Sequence, residues 1–276
     1  MHDSFNLAWK LNLVSRGLAH PSLLSSYDAE RRKIANDLIT FDAEHVAAFE
    51  KGETALAKNF DDNIRFISGV GAEYTPGLLT QCTPPAGRKT AGGVTPGSLM
   101  PPAKVTRYID ANPVDLQLDI PMLGQFRVYL FLQDVPSGQT FLEGFCSGVR
   151  TALDRVDQKA TESYTARPRG SAQRDAYVQP ERYTTVSQMV TYSLVTKSEK
   201  STFELVDLPE VLQRSRWTVY LDDVEECTEK WMGMGTEPAG VVVVRPDGYV
   251  GATAPWSLGE GEEAARWVGE YFACFL

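Results

Sequence analysis

Residues 241–251 read VVVVRPDGYVG, and few stretches of this length leave a chain so little choice. Four successive valines favour an extended strand, because a side chain branched at Cβ packs well on a pleated surface and loses freedom in a helix. Pro246-Asp247-Gly248 then forces a turn: proline presets φ, aspartate caps locally, and glycine accepts a positive φ. The stretch must therefore fold back on itself as two strands. A closing helix is expected over Glu262–Phe275, with Ala265, Val268, Tyr271, Phe272 and Phe275 at helical spacing.

Upstream of this hairpin the same rhythm continues. FRVYLFLQ, from Phe126 to Gln133, reads as a buried strand, and Pro136-Ser137-Gly138 separates it from a helix over Thr140–Val156. Asp157–Thr185 is polar and carries Pro168, Gly170 and Pro180, the composition of a surface excursion. A strand over Met189–Val195, a helical turn near Leu208–Arg214 and a strand over Trp217–Leu221 follow. The order β-α-β-(α)-β-β-α defines an α/β fold, a thioredoxin-like sandwich of a small mixed sheet and flanking helices.

The first part of the chain is helical. Phe5, Ala8, Leu11 and Val14 recur at helical spacing and predict an amphipathic first helix that ends at Gly17, with Phe5, Leu7, Trp9 and Leu11 expected as an exposed apolar face for want of the sheet they would pack on. A second helix starts near Pro21 or Ser22 and runs to about Lys51-Gly52, with Leu24, Tyr27, Ile34, Leu38, Phe41 and Phe49 as its apolar side. PPAGRKTAGGVTPGSLMPPAK, residues 84–104, holds too much proline and glycine for a continuous helix or a central strand. The expected division is residues 1–58 as helices belonging to a larger domain, 59–104 as a linker, and 105–276 as the thioredoxin-like domain.

Charge and composition exclude several classes of function. A net charge of −9 and a pI near 5.0 argue against a surface that gathers phosphates or anionic lipid. No apolar run approaches the roughly 20 residues that cross a bilayer. No basic segment followed by an apolar core opens the chain, so no signal peptide is expected. Cys82, Cys146, Cys227 and Cys274 are widely spaced and form no CxxC pair for zinc or dithiol chemistry, as befits reduced thiols in a cytoplasmic protein.

Candidate chemistry is sparse. In a thioredoxin-like fold the thiol site lies where the first strand hands over to the first helix, and Pro136-Ser137-Gly138-Gln139 holds no cysteine there. Pro238 stands where such folds often keep a cis-proline, or is a plain turn proline. Gly259-Glu260-Gly261-Glu262-Glu263-Ala264 imitates a dinucleotide turn only superficially, since its glutamates suit a helix N-terminus better than a pyrophosphate. His2, His20 and His45 are too scattered for a metal site or a catalytic triad. Asp3 suits the first turn of a helix, and Asp42 could tie the long helix to a neighbour. No catalytic residue and no metal ligand is identified.

Several phrases taken together resemble the FAD-dependent aromatic monooxygenases of the phenol hydroxylase type. MHDSFNLAWKL is similar to the helix that follows their flavin-contacting glycine loop. LLSSYDAERRKIANDLITFD is similar to their next long helix, with Tyr27, Glu30-Arg31 and Phe41-Asp42 as landmarks. FISGVGAEYTPGLLT, GSLMPPAKVTRYIDANPVDLQ, GQFRVYLF and VVVVRPDGYVG resemble their C-terminal domain, in order along nearly the whole chain. The resemblance implies hydroxylation of a phenolic ring with FAD, NADPH and O₂ by way of a flavin hydroperoxide. It also implies a C-terminal domain used for dimer contacts and packing, hence a homodimer; the charge and hydropathy above add the expectation of no nucleic-acid or membrane partner.

The family's strand and GxGxxG turn, its GD motif and its phenol-activating residues have no counterpart here. The expectation is therefore a truncated chain that is inactive alone and binds no cofactor, with Met1 as a residual edge of the flavin site. The alternative is a stand-alone thioredoxin-like dimerisation module without catalysis. A flavin-binding half supplied by another chain is a third reading.

Overall fold

The computed structural model describes residues 2–80, 93–120, 124–165, 189–223, 226–233 and 237–276. Three helices come first: α1 (His2–Ser15), α2 (Ser25–Glu50) and α3 (Glu53–Ile67). A mixed sheet with helices on both faces follows: β1 (Lys104–Arg107), β2 (Pro113–Asp115), α4 (Leu116–Asp119), β3 (Phe126–Leu132), α5 (Gln139–Thr165), β4 (Val190–Thr196), α6 (Glu210–Arg214), β5 (Val219–Leu221), α7 (Glu226–Met232), β6 (Ala239–Val244), β7 (Val250–Trp256) and α8 (Gly261–Ala273). The strand order is β2-β1-β5-β4-β3-β6-β7. Strands β3, β4 and β5 run parallel, and β6 and β7 extend the sheet antiparallel on one side, with β1 and β2 on the other. The segment β4-β3-β6-β7 with α5 and α8 is the thioredoxin-like core.

The apolar runs are explained by burial on both faces, which removes the usual alternation of strand side chains. Phe126, Val128, Leu130 and Leu132 point to the side covered by α5 and α8, together with Val241, Val243, Ala252 and Ala254. Tyr129 and Phe131 point the other way, toward Trp231 of α7, Val242, Val244 and Val250. Helices α5 and α8 lie very close, and glycines make this possible. A Cβ on Gly261 would stand 2.2 Å from the carbonyl oxygen of Phe141, and one on Gly148 would stand 2.5 Å from Cβ of Ala265.

The edge pair β1–β2 is held by charge. Arg107 is buried, pairs with Asp119 of α4, and reaches Asp110 at 2.6 Å, while Tyr220 of β5 donates its hydroxyl to Asp119 at 2.8 Å.

Several sequence expectations change here. Residues Glu53–Ile67, split between the helices and the linker in the expected division, form one helix. Helix α5 runs on to Thr165, past the expected end at Val156, and residues 166–188 lie outside the described set. Strands β1 and β2 were not anticipated, because each is short and its pairing comes from distant residues. On α1, Phe5 and Leu11 are exposed as expected, whereas Trp9 is buried together with Asn6, Lys10 and Leu13. On α2, Leu38 and Phe49 are likewise exposed.

Gly261→Ala should cost about 1–3 kcal/mol, since the new methyl meets backbone that cannot step aside. A lowered midpoint of urea unfolding, followed by far-UV circular dichroism, is the expected reading.

Candidate functional site: a buried charge cluster

The burial of Asn6 and Lys10 on α1 has a physical cause. The β6–β7 turn is closed by Arg245, whose N–H bonds to the Tyr249 carbonyl at 2.8 Å, and by Gly248 at φ +83°, whose N–H bonds to the Arg245 carbonyl at 3.0 Å. This tight turn, Pro-Asp-Gly flanked by Arg245 and Tyr249, points its polar side chains at α1 and α2. The Arg245 guanidinium is fully buried and forms a two-pronged pair with Glu30 of α2, at 2.6 and 2.9 Å. It also holds Asp247, through Nε at 3.0 Å and Nη2 at 2.7 Å.

Helix α1 completes the cluster. Lys10, fully buried, donates to Glu30 and to Asn6 Oδ1, each at 2.8 Å. Asn6 Nδ2 donates to Glu30 at 2.8 Å and lies 3.2 Å from Asp247. Trp9 Nε1 donates to Asp247 at 3.0 Å. The rings of Trp9, Tyr74 and Tyr249 surround the guanidinium at 5.2–5.6 Å, and Tyr74 stacks on Tyr249 at 4.2 Å. At the rim Arg31 donates to the Tyr74 hydroxyl at 3.2 Å and pairs with Asp3.

Two cations face two carboxylates, so the buried set is neutral as a whole. Burial pushes the Glu30 carboxyl up, but Arg245, Lys10 and Asn6 outweigh it and hold the group below its ordinary value. Burial also opposes the Arg245 charge, yet Asp247 and Glu30 raise its pKa further. Lys10 is the weak member: desolvation lowers its pKa to about 8 despite Glu30 beside it. Every carboxylate in the set is tied to a cation or an N–H donor, so the arrangement holds elements together and offers no unpaired base.

The predicted site residues fall as follows. Met1 lies outside the described residues. Asp3 belongs to the rim of the cluster, and Asp42 stands exposed on α2. His20 caps the turn that opens the second helical region, its Nδ1 accepting from the Ser22 N–H at 3.2 Å. His45 bonds Asn59 at 2.8 Å between Phe41 and Phe60. No metal-binding group of His, Cys, Asp and Glu occurs among the described residues.

At the strand–helix junction after β3, Asp134 accepts the Ser137 N–H at 2.8 Å, a cap rather than a thiol site. Cys146 is buried on α5 with its thiol pushed up to about 12, and burial raises Cys227 as well, so neither supplies a thiolate. Pro238 borders a cavity of about 300 Å³ lined by Gln133, Lys197, Met232 and Pro255, and no cis peptide occurs among the described residues. Glu262 and Glu263 occupy the first turn of α8 as expected of acids at a helix N-terminus. The cluster residues were missed because their partners lie up to 241 positions away. The available signal was Arg and Asp flanking a proline inside an otherwise apolar hairpin.

Arg245→Met would leave Glu30 and Asp247 buried with Lys10 as the remaining buried cation. A loss of about 3–5 kcal/mol in unfolding free energy is expected, the usual cost of breaking a buried pair. Chemical denaturation measures it. Lys10 gives a test in pH. Its pKa is about 8 when folded and 10.5 when unfolded, so the unfolded chain binds more protons between those values and stability rises with pH there. From pH 7.5 to 10 the wild type should gain roughly 1–3 kcal/mol relative to Lys10→Met, read from paired denaturation curves.

Comparison with known proteins places this geometry. Residues 72–276 match the family described as phenol hydroxylase, C-terminal dimerisation domain, and residues 1–42 match the FAD binding domain family. The 3-hydroxybenzoate 4-monooxygenase of Comamonas testosteroni is 31% identical over 292 residues, covering 100% of this chain and 43% of that protein. The phenol 2-monooxygenase fsqG of Aspergillus fumigatus is 24% identical, covering 92% and 41%. Among solved structures, the flavin-dependent monooxygenase PieE in complex with FAD and substrate superposes with a TM-score of 0.58 at 18% identity, over 99% of this chain and 44% of that one. Aklavinone-11 hydroxylase with FAD and aklavinone gives 0.51 at 16%, over 98% and 38%. The likeness to both structures is one of fold. The chain spans less than half the length of these relatives. By the match over residues 72–276, the chain belongs to the phenol hydroxylase C-terminal dimerisation domain family.

Proposed function

We propose that this chain is the C-terminal part of an FAD-dependent aromatic monooxygenase that hydroxylates phenolic rings with NADPH and O₂. Its own role is to join the last helices of the flavin domain to a dimerising thioredoxin-like domain. One observation carries the reading. The charge cluster locks α1 and the start of α2, which match the FAD binding domain family, onto the β6–β7 turn of the dimerisation domain. A joint of this kind suits a chain whose two parts work as one body.

The described residues do not fit the nucleotide part of FAD. A pyrophosphate needs a glycine turn between strand and helix with free N–H groups. After β3 the turn N–H of Ser137 is taken by Asp134, and Gly138 by the carbonyls of Asp134 and Val135. At the start of α8, Glu260 stands at the N-cap and Glu262 and Glu263 in the first turn, and Gly261 is packed against Phe141. The cofactor site of the parent enzyme is therefore assigned to residues outside this chain, and the chain alone is read as inactive. No helix among the described residues is long and apolar enough to cross a membrane.

Adding excess FAD to the purified chain and removing unbound flavin should leave a colourless protein. A tight, stoichiometric yellow complex would overturn this assignment.

A further inference from the structure

The family matches divide the chain into residues 1–42 and 72–276, but the hydrophobic core does not follow that division. Trp9 and Leu13 of α1 and Leu23 after it are buried in one cluster with Phe126 of β3 and with Phe272 and Phe275 at the chain's end. Phe126 lies at the meeting point and has no exposed surface. Trp9 stands edge-on to its ring at 5.5 Å, Phe272 edge-on at 5.1 Å, and Phe275 stacks on it at 5.6 Å. Taking Trp9 away would open one side of this ring, on a strand that lies inside the sheet between β4 and β6.

Polar ties cross the division at three places. The His20 N–H donates to the Phe275 carbonyl at 2.9 Å. Arg16 donates through Nε to Ser163 and through Nη2 to the Ala160 carbonyl of α5, each at 3.0 Å. Arg245, fully buried, pairs with Glu30 from one side of the division and with Asp247 from the other. Residues 6–30 are thus tied to α5, to the chain's end and to the β6–β7 turn.

We propose that residues 6–30 and the thioredoxin-like domain form one cooperative body, so that α1 leaves its seat only when the sheet itself opens. A segment opens locally where few apolar contacts and mostly exposed hydrogen bonds hold it. Opening residues 6–30 would uncover Trp9, Leu13 and Phe126 together. It would also leave Arg245 with Asp247 as its one carboxylate partner among the described residues. This goes beyond the joint described above. A joint can connect two bodies that each fold alone, whereas a shared core leaves neither complete. Residues 72–276 are then a unit of sequence and not a unit of folding. The coupling is rigid: helices of the flavin-domain type have no hinge against the dimerisation domain, and a displacement of α1 is passed to β3 and to the β6–β7 turn.

Hydrogen exchange on the full, folded chain tests this, under conditions where the rate reports the opening equilibrium. The slowest amides of α1 and those of β3 should show protection factors within about tenfold of each other. A larger gap, with α1 the faster, overturns the proposal. Glu30→Gln gives a second reading, because Glu30 touches both α1 and the β6–β7 turn. In one cooperative body this change lowers protection in β3 by the same factor as in α1, on the order of 100-fold. A loss confined to the first helices, with β3 unchanged, overturns it as well. The wild-type comparison decides the question even where the variant does not fold.

Discussion

The pairing of Arg245 with Glu30 is the interaction on which the arrangement of this molecule turns. A guanidinium on the β6–β7 turn and a carboxylate on α2 are both removed from water, a step that costs several kcal/mol per ion unless each finds close partners. Here the two-pronged geometry, the second carboxylate of Asp247 and three aromatic rings around the guanidinium supply them. Lys10 and Asn6 then add two further donors to Oε2 of Glu30, which Arg245 already bonds. A network of this kind tolerates little displacement, because a shift of one turn in α1 would strand buried charges. It fixes register as well as contact.

That constraint explains why α1 turns a lysine and an asparagine inward and leaves Phe5 and Leu11 outside. The buried side is still half apolar: Trp9 packs edge-on against Phe126 at 5.5 Å, and Leu13 joins the same core. The helix is thus anchored to the thioredoxin-like core by packing and set in rotation by charge. At the strand–helix junction after β3, where a thioredoxin-like fold would carry its thiol site, stands a capped turn, and Cys146 on α5 is buried with its thiol raised.

Much of the fold was legible in the sequence for local reasons. FRVYLFLQ, VVVVRPDGYVG and the closing helix each carry strong periodicity or turn chemistry, and their elements lie within a few residues of expectation. The shorter pieces were not legible. β1 and β2 hold four and three residues, and β1 is a strand only because β5 offers it an edge. α3 was hidden by a run of polar residues around a sparse apolar stripe, which became readable only when α2 lay beside it.

For the candidate site the division is sharper. Glu30-Arg31 was visible as a family landmark and Asp247 as a turn residue, but neither reading joined them. By itself, the sequence determined the central strands, the hairpin turn and the closing helix, and that no CxxC spacing occurs, because those properties depend on neighbours a few positions away. Only the tertiary structure decided which side of α1 is inside, because that choice depends on a guanidinium 235 positions from Lys10 whose burial needs every one of its partners in place.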